Sequence, residues 1–222
     1  MKKIFTLIAV AAMAMSVNAQ GTYAVMNGDA TVAAGTTVTS VPGITMTWGV
    51  AGGADFKGGN KKSEVLKDVL GSTAYCEGNG ENGSLTGGTV YYFEPSVAGK
   101  ITVGFVLNNG KSFFVKDIDD TEVNFTCTDA AGSAVTLSNG GTLDEKLTGG
   151  LVTFDVTSGK KYAVYCTGSK LGYYGFKFDT TNNINVVKAA ENNAPAYNLA
   201  GQQVGKDYKG VVIQNGRKVI NK

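Results

Sequence analysis

The sequence predicts an all-β protein: a jelly-roll-like antiparallel β-sandwich followed by a small C-terminal β-hairpin module. Three observations predict it. Short segments alternate apolar and polar residues with period two. Glycine is abundant, at 31 residues, while proline numbers 3. Hydrophobic residues make up 43% of the 222-residue chain against 17% charged, which leaves ample apolar surface to bury and argues against disorder. Period two puts alternate side chains on opposite faces of a strand. Many half-buried strands joined by Gly-rich turns point to a sandwich or barrel.

Taken in chain order, the N-terminus stands apart. Lys2 and Lys3 precede a short Ala-rich apolar run from Ile4 to Met15, and Val17, Asn18 and Ala19 form a small-x-small cleavage pattern ahead of Gln20. Residues 1–19 read as a cleavable signal peptide. The run is too short to span a bilayer stably, and no later segment is long enough either. The mature chain is therefore expected to be secreted or held at the cell surface, with no transmembrane segment. Gln20 and not Cys directly follows the cleavage point, so a lipoprotein anchor is not expected.

Residues 20–180 are expected to form the sandwich. Strand patterns occur at Ile44-Met46-Trp48, Ile101-Val103-Phe105-Leu107, Val123-Phe125-Cys127, Val152-Phe154-Val156, Tyr162-Val164-Cys166 and Tyr174-Phe176-Phe178. A weak internal repeat joins some of them. Gly87-Gly88-Thr89-Val90 leads through Phe93 and Ala98-Gly99-Lys100 to Ile101–Val106. Gly149-Gly150-Leu151-Val152 leads through Phe154 and Ser158-Gly159-Lys160 to Tyr162–Cys166. Each reads as strand, Gly turn, strand, and two such hairpins suit a jelly roll. Between them and the N-terminus, Ser63 could cap a two-turn helix carrying Val65, Leu66, Val69 and Leu70, with Gly71 past its end. A loop with an apolar anchor is the other reading.

The Asn-, Thr- and Ala-rich stretch 181–195 reads as a linker, and 196–222 as a compact C-terminal module. Its mark is Asn215-Gly216 between Val211-Val212-Ile213 and Arg217–Ile220, because both central positions of a type I′ turn need positive φ. Without Lys2 and Lys3, 18 basic residues face 18 acidic ones. Neutrality supports no nucleic-acid partner, whose usual footprint is a basic patch. The charge is split, however. Residues 196–222 carry a net +4, and residues 20–195 a net −4.

The tail stretches Ala194–Gln202, Tyr208–Ile213 and Asn215–Ile220 resemble the C-terminal sorting domains of secreted Bacteroidota proteins, recognised by the type IX secretion system. The resemblance implies outer-membrane passage, with the secretion machinery as partner of residues 196–222, and surface attachment. The stretches Gly88–Pro95, Gly99–Leu107 and Tyr165–Phe176 are similar to accessory β-sandwich domains of secreted Bacteroidota proteins, some of which sit beside polysaccharide-degrading domains. That resemblance implies a sandwich and a surface-binding role.

Candidate chemistry is sparse. The chain has no His, which removes Ser-His-Asp and Cys-His nucleophile systems. Gly78, Gly80 and Gly83 imitate a dinucleotide fingerprint without its βαβ context and read as a turn-rich loop. Glu77, Glu81 and Glu94 leave a carboxylate route open, yet nothing sets two of them across a cleft, so no catalytic residue is expected. Cys76, Cys127 and Cys166 are an odd count; a Cys76–Cys166 bridge and three buried thiols are both open. No cofactor is expected. Asp117, Asp119 and Asp120, with Glu122 nearby, form a weak candidate calcium cluster lacking EF-hand spacing, against the plainer reading of a solvated loop.

Aromatic rings are the better ligand candidates, since a flat ring stacks on a sugar. Tyr174 shares the phase of Phe176 and Phe178, which sets Tyr173 outward. Tyr91 shares the phase of Phe93, which sets Tyr92 outward. Trp48 is either core or platform. The expected ligand site is Tyr92, Tyr173 and Trp48, with Asn79, Glu81 and Asn82 as polar partners. The expected function is a non-catalytic carbohydrate-binding module outside the cell. Its rivals are an adhesive protein contacting other proteins and a small carboxylate-dependent glycan-active enzyme.

Overall fold

The computed structural model describes residues 20–26, 31–59, 64–78, 81–168, 171–181, 196–205, 208–214 and 217–221. The expected signal peptide, Ser63, Asn79, residues 182–195 of the expected 181–195 linker, and the expected Asn215-Gly216 turn all lie outside these residues. Strand makes up 49% of the described residues and helix 2%, so the all-β class holds. The chain divides into two compact units, 1–182 and 183–222.

In the first unit the elements run β1 (Gln20–Ala24), β2 (Thr31–Val32), β3 (Thr37–Val38), β4 (Ile44–Trp48), β5 (Phe56–Gly58), α1 (Lys67–Leu70) and β6 (Cys76–Glu77). They continue with β7 (Val90–Pro95), β8 (Gly99–Leu107), β9 (Phe113–Asp117), β10 (Phe125–Thr128), β11 (Leu147–Val156), β12 (Tyr162–Cys166) and β13 (Leu171–Thr180). One sheet has the order β10-β11-β8-β13-β6-β5-β2, with β1 also paired to β13; the other has the order β3-β4-β7-β12-β9. Every pairing is antiparallel.

Alternation explains the core. Ile101, Val103, Phe105 and Leu107 of β8 and Val152, Phe154 and Val156 of β11 meet Met46 and Trp48 of β4, Tyr91 and Phe93 of β7 and Val164 of β12. Inner faces of two sheets interdigitate in this way in a sandwich.

The internal repeat has a different meaning from the hairpins it suggested. β7 and β8 lie in different sheets, and so do β11 and β12. Each repeat unit is thus an arch that crosses the sandwich. The two arches pair with each other, β7 against β12 and β8 against β11. A Gly turn between two alternating segments fits either geometry, because period two fixes the face of a side chain and not the sheet its strand joins.

The helix is one turn, shorter than the pattern suggested, and ends at Gly71 in the left-handed region with φ 72°. Leu66 and Leu70 anchor it on the outer face of the larger sheet against Val106, Leu151 and Tyr174, while Val65 and Val69 stay exposed. No helix among the described residues is long and apolar enough to cross a membrane.

The edges at β9 and β10 are covered. Outside β9, the amides of Phe113 and Val123 donate to the carbonyls of Gly141 and Val115, and the Val115 amide donates to Asn139 Oδ1. Outside β10, the Val135 amide donates to the Cys127 carbonyl. Of the other edges, β2 and β3 are two residues long, and β1, paired with β13 alone, is five. Unpaired edges template association, and short or covered ones do not.

The second unit is a single four-stranded sheet, larger than a hairpin. It contains β14 (Ala196–Asn198), β15 (Gln203–Val204), β16 (Gly210–Gln214) and β17 (Arg217–Asn221), in the order β15-β14-β16-β17. Gln214 pairs with Arg217.

Candidate ligand-binding surface

Two of the three aromatic candidates are interior. Tyr173 was expected to face outward and does not: it is fully buried. The phase argument fails at a β-bulge in β13, where Tyr173 opposes Phe105 and the next register pair is Gly175 with Gly104. The extra residue, Tyr174, is left on the outer face under α1, so the two tyrosines exchange the expected sides. Trp48 is core, not platform. It meets Phe56, Tyr91 and Tyr173 edge-on at 5.3, 5.5 and 5.0 Å between ring centroids. Tyr91 stacks on Tyr173 at 4.6 Å and its hydroxyl donates to the Leu171 carbonyl at 2.6 Å. Burial pushes the Tyr91 and Tyr173 hydroxyls well above the usual tyrosine range.

The polar partners do not gather round a ring. Asn79 lies outside the described residues. Glu81 and Asn82 are exposed, and Asn82 Oδ1 accepts the Gly168 amide at 2.5 Å, tying its loop to the end of β12. Glu77 stands on β6 in the larger sheet and Glu94 on β7 in the smaller one, so these two carboxylates lie on opposite layers.

All three cysteines are buried free thiols. Burial pushes Cys76 and Cys127 up to about 11 and Cys166 to about 12.

The acidic loop is a structural staple. Asp117 is buried, and its Oδ1 accepts the amides of Asp119 and Thr121 at 3.1 and 2.9 Å while Oδ2 faces Lys160 Nζ at 3.3 Å. Asp120, with φ 66°, pairs with Lys116 at 2.7 Å. Among the described residues no group of three or more His, Cys, Asp or Glu is placed to hold a metal ion. The Thr121 amide, with Lys160 and the Asp119 amide, holds the Asp117 carboxyl below its ordinary value against the opposing effect of burial. A depressed carboxyl stabilises the fold above the unfolded-chain value and loses that contribution as pH falls through the folded one. Asp117→Asn should therefore flatten the acid limb of the stability curve below about pH 4, read by urea titration at a series of pH values. An acid limb as steep as that of the wild type would contradict this role.

Tyr92 does face outward, on the smaller sheet, and is 4% exposed. Lys161 Nζ lies 4.6 Å from its ring centroid and also pairs with Glu94 Oε1 at 2.9 Å. The Tyr92 hydroxyl donates to the Leu85 carbonyl at 2.8 Å. These contacts fix the ring as part of a shallow trough of about 440 Å³. Tyr92 and Thr47 belong to its lining, with Val50 and Ala51, Leu85 and Thr86, Ile118, and Lys161 drawn from four separate connections. Val50 and Ile118 are 40% and 45% exposed. Of the expected site residues, the trough contains Tyr92 alone. Val50, Leu85, Ile118 and Lys161 are additions, and each is a lone residue in a turn or at a strand end, with no periodicity to mark it.

No protein-family model matches this chain, and it matches no curated protein.

Proposed function

We propose that this chain is an exported, non-catalytic binding module that engages its partner at the trough on the outer face of the smaller sheet. The supporting observation is a concave surface in which Val50, Ala51, Leu85 and Ile118 surround one fixed tyrosine and one cation. Such a surface suits an aliphatic or aromatic side chain presented by another protein. The adhesive reading thus gains over the carbohydrate reading, because two of the three aromatics chosen for sugar stacking are interior. A glycan remains the second reading on one observation: the Thr47 and Thr86 hydroxyls line the trough together with Tyr92. Export rests on Lys2, Lys3 and the Val17-Asn18-Ala19 pattern, and the secretion machinery is the proposed partner of the tail.

Selection from a random peptide library, run beside a polysaccharide panel, tests the reading. Peptides with an apolar anchor should be retained, and Ile118→Asp or Val50→Asp should weaken them about tenfold through the loss of roughly 1.4 kcal/mol. Both residues are exposed, so the fold should be unaffected. Retention of a polysaccharide, lost in Tyr92→Ala, would select the glycan instead. Binding indifferent to all three substitutions would place the site elsewhere.

A further inference from the structure

In the C-terminal sheet one row of residues across the strands is exposed. Residues directly opposite each other on paired strands share a face. The pairings Gln203↔Tyr197, Tyr197↔Ile213 and Ile213↔Lys218 therefore set these four residues in a row across all four strands. All four are exposed, Tyr197 at 39% and Ile213 at 41%. On the opposite face Val212 is buried.

Two residues beyond Tyr197, Leu199 is 67% exposed in a stapled turn. Asn198 Oδ1 accepts the amides of Ala200 and Gln202, Asn198 Nδ2 donates to Gln202 Oε1, and the Gly201 amide donates to the Asn198 carbonyl. A single exposed apolar side chain needs no explanation. A turn built to hold a leucine in water, next to a bare Tyr-Ile row, calls for a partner.

Charge decides which partner. Residues 196–222 carry a net +4. Packing this face on a second copy of itself would bring like charges together, with Lys218 in the contact. An anionic lipid surface gains on both counts. Aliphatic groups enter the headgroup–acyl boundary, a tyrosine ring sits at headgroup level, and lysines reach phosphates. Lys209 and Lys218 are both exposed.

We propose that this face docks on a membrane surface rich in anionic lipid, with Leu199, Tyr197 and Ile213 as apolar anchors and Lys209 and Lys218 meeting phosphates. The contact is separate from the trough and stands whether or not the trough binds a partner.

The test is sedimentation of residues 20–222, free of the apolar run before Gln20, with phosphatidylglycerol and with phosphatidylcholine vesicles. Retention is expected on phosphatidylglycerol and should fall with added salt. Lys209→Gln and Lys218→Gln should each weaken it about fivefold, and Leu199→Ser about tenfold or more. Far-ultraviolet spectra check that each variant is folded; should Leu199→Ser unfold the module, the two lysine variants and the salt series still decide. Equal retention on phosphatidylcholine overturns the proposal, as does retention unchanged when Lys209→Gln, Lys218→Gln and Leu199→Ser are combined. Capture by an acidic polysaccharide or acidic protein, with none by vesicles, also overturns it and reassigns the face.

Discussion

Replacing Trp48 by alanine should lower the unfolding free energy by roughly 4 kcal/mol, and replacing Tyr173 by a similar amount, the usual cost of emptying a buried aromatic site. Trp48 joins β4 of one sheet to β13 of the other through its edge contact with Tyr173, and Tyr173 stacks in turn on Tyr91. Removing either ring leaves a void spanning both layers, which close packing cannot readily refill. Denaturant midpoints measure the loss. The same experiment separates core from platform: a ligand-stacking residue would lose binding with its stability kept. A loss below about 1 kcal/mol would show that these rings do not carry the core.

Gly175→Ala should cost about 3 kcal/mol or detach β1, since a strained backbone and a clash fall on one residue. Gly175 has φ 139°, and a Cβ there would stand 2.1 Å from the Tyr23 carbonyl oxygen. That oxygen belongs to the backbone of the neighbouring strand, so no side-chain rotation relieves the contact. Gly87 is the control: a Cβ there meets nothing within 4 Å, and Gly87→Ala should stay within about 0.5 kcal/mol. Denaturant unfolding gives the magnitudes, and proteolysis near residue 24 reports release of β1. Equal stability of the two variants would remove the bulge from the account.

The same bulge marks where the sequence stopped being legible. Ile101, Val103, Phe105 and Leu107 pack inward as their alternation predicts, because β8 keeps an unbroken pleat through them. Tyr92 was placed correctly from Tyr91 and Phe93 for the same reason. Tyr173 was misplaced because one inserted residue reverses the phase beyond it, and nothing local distinguishes Gly175 in a bulge from glycine in a plain strand. The arches were read as hairpins because sheet membership is decided by pairing between distant segments. The trough was invisible for a related reason: Val50, Leu85 and Ile118 come from separate connections and meet only once both sheets exist.

The strand pairings also set a timetable for folding. β1 opens the sandwich, yet its partner is β13, with Gln20 opposite Asp179. The two arches likewise meet across long sequence separations, with Phe93 opposite Tyr162. Loop-closure entropy must be overcome before such contacts return energy, so this topology folds slowly, on the millisecond-to-second scale of all-β domains. A nascent chain that has not yet released residue 180 has no partner for its first strand. That strand joins the larger sheet only after β13 has emerged.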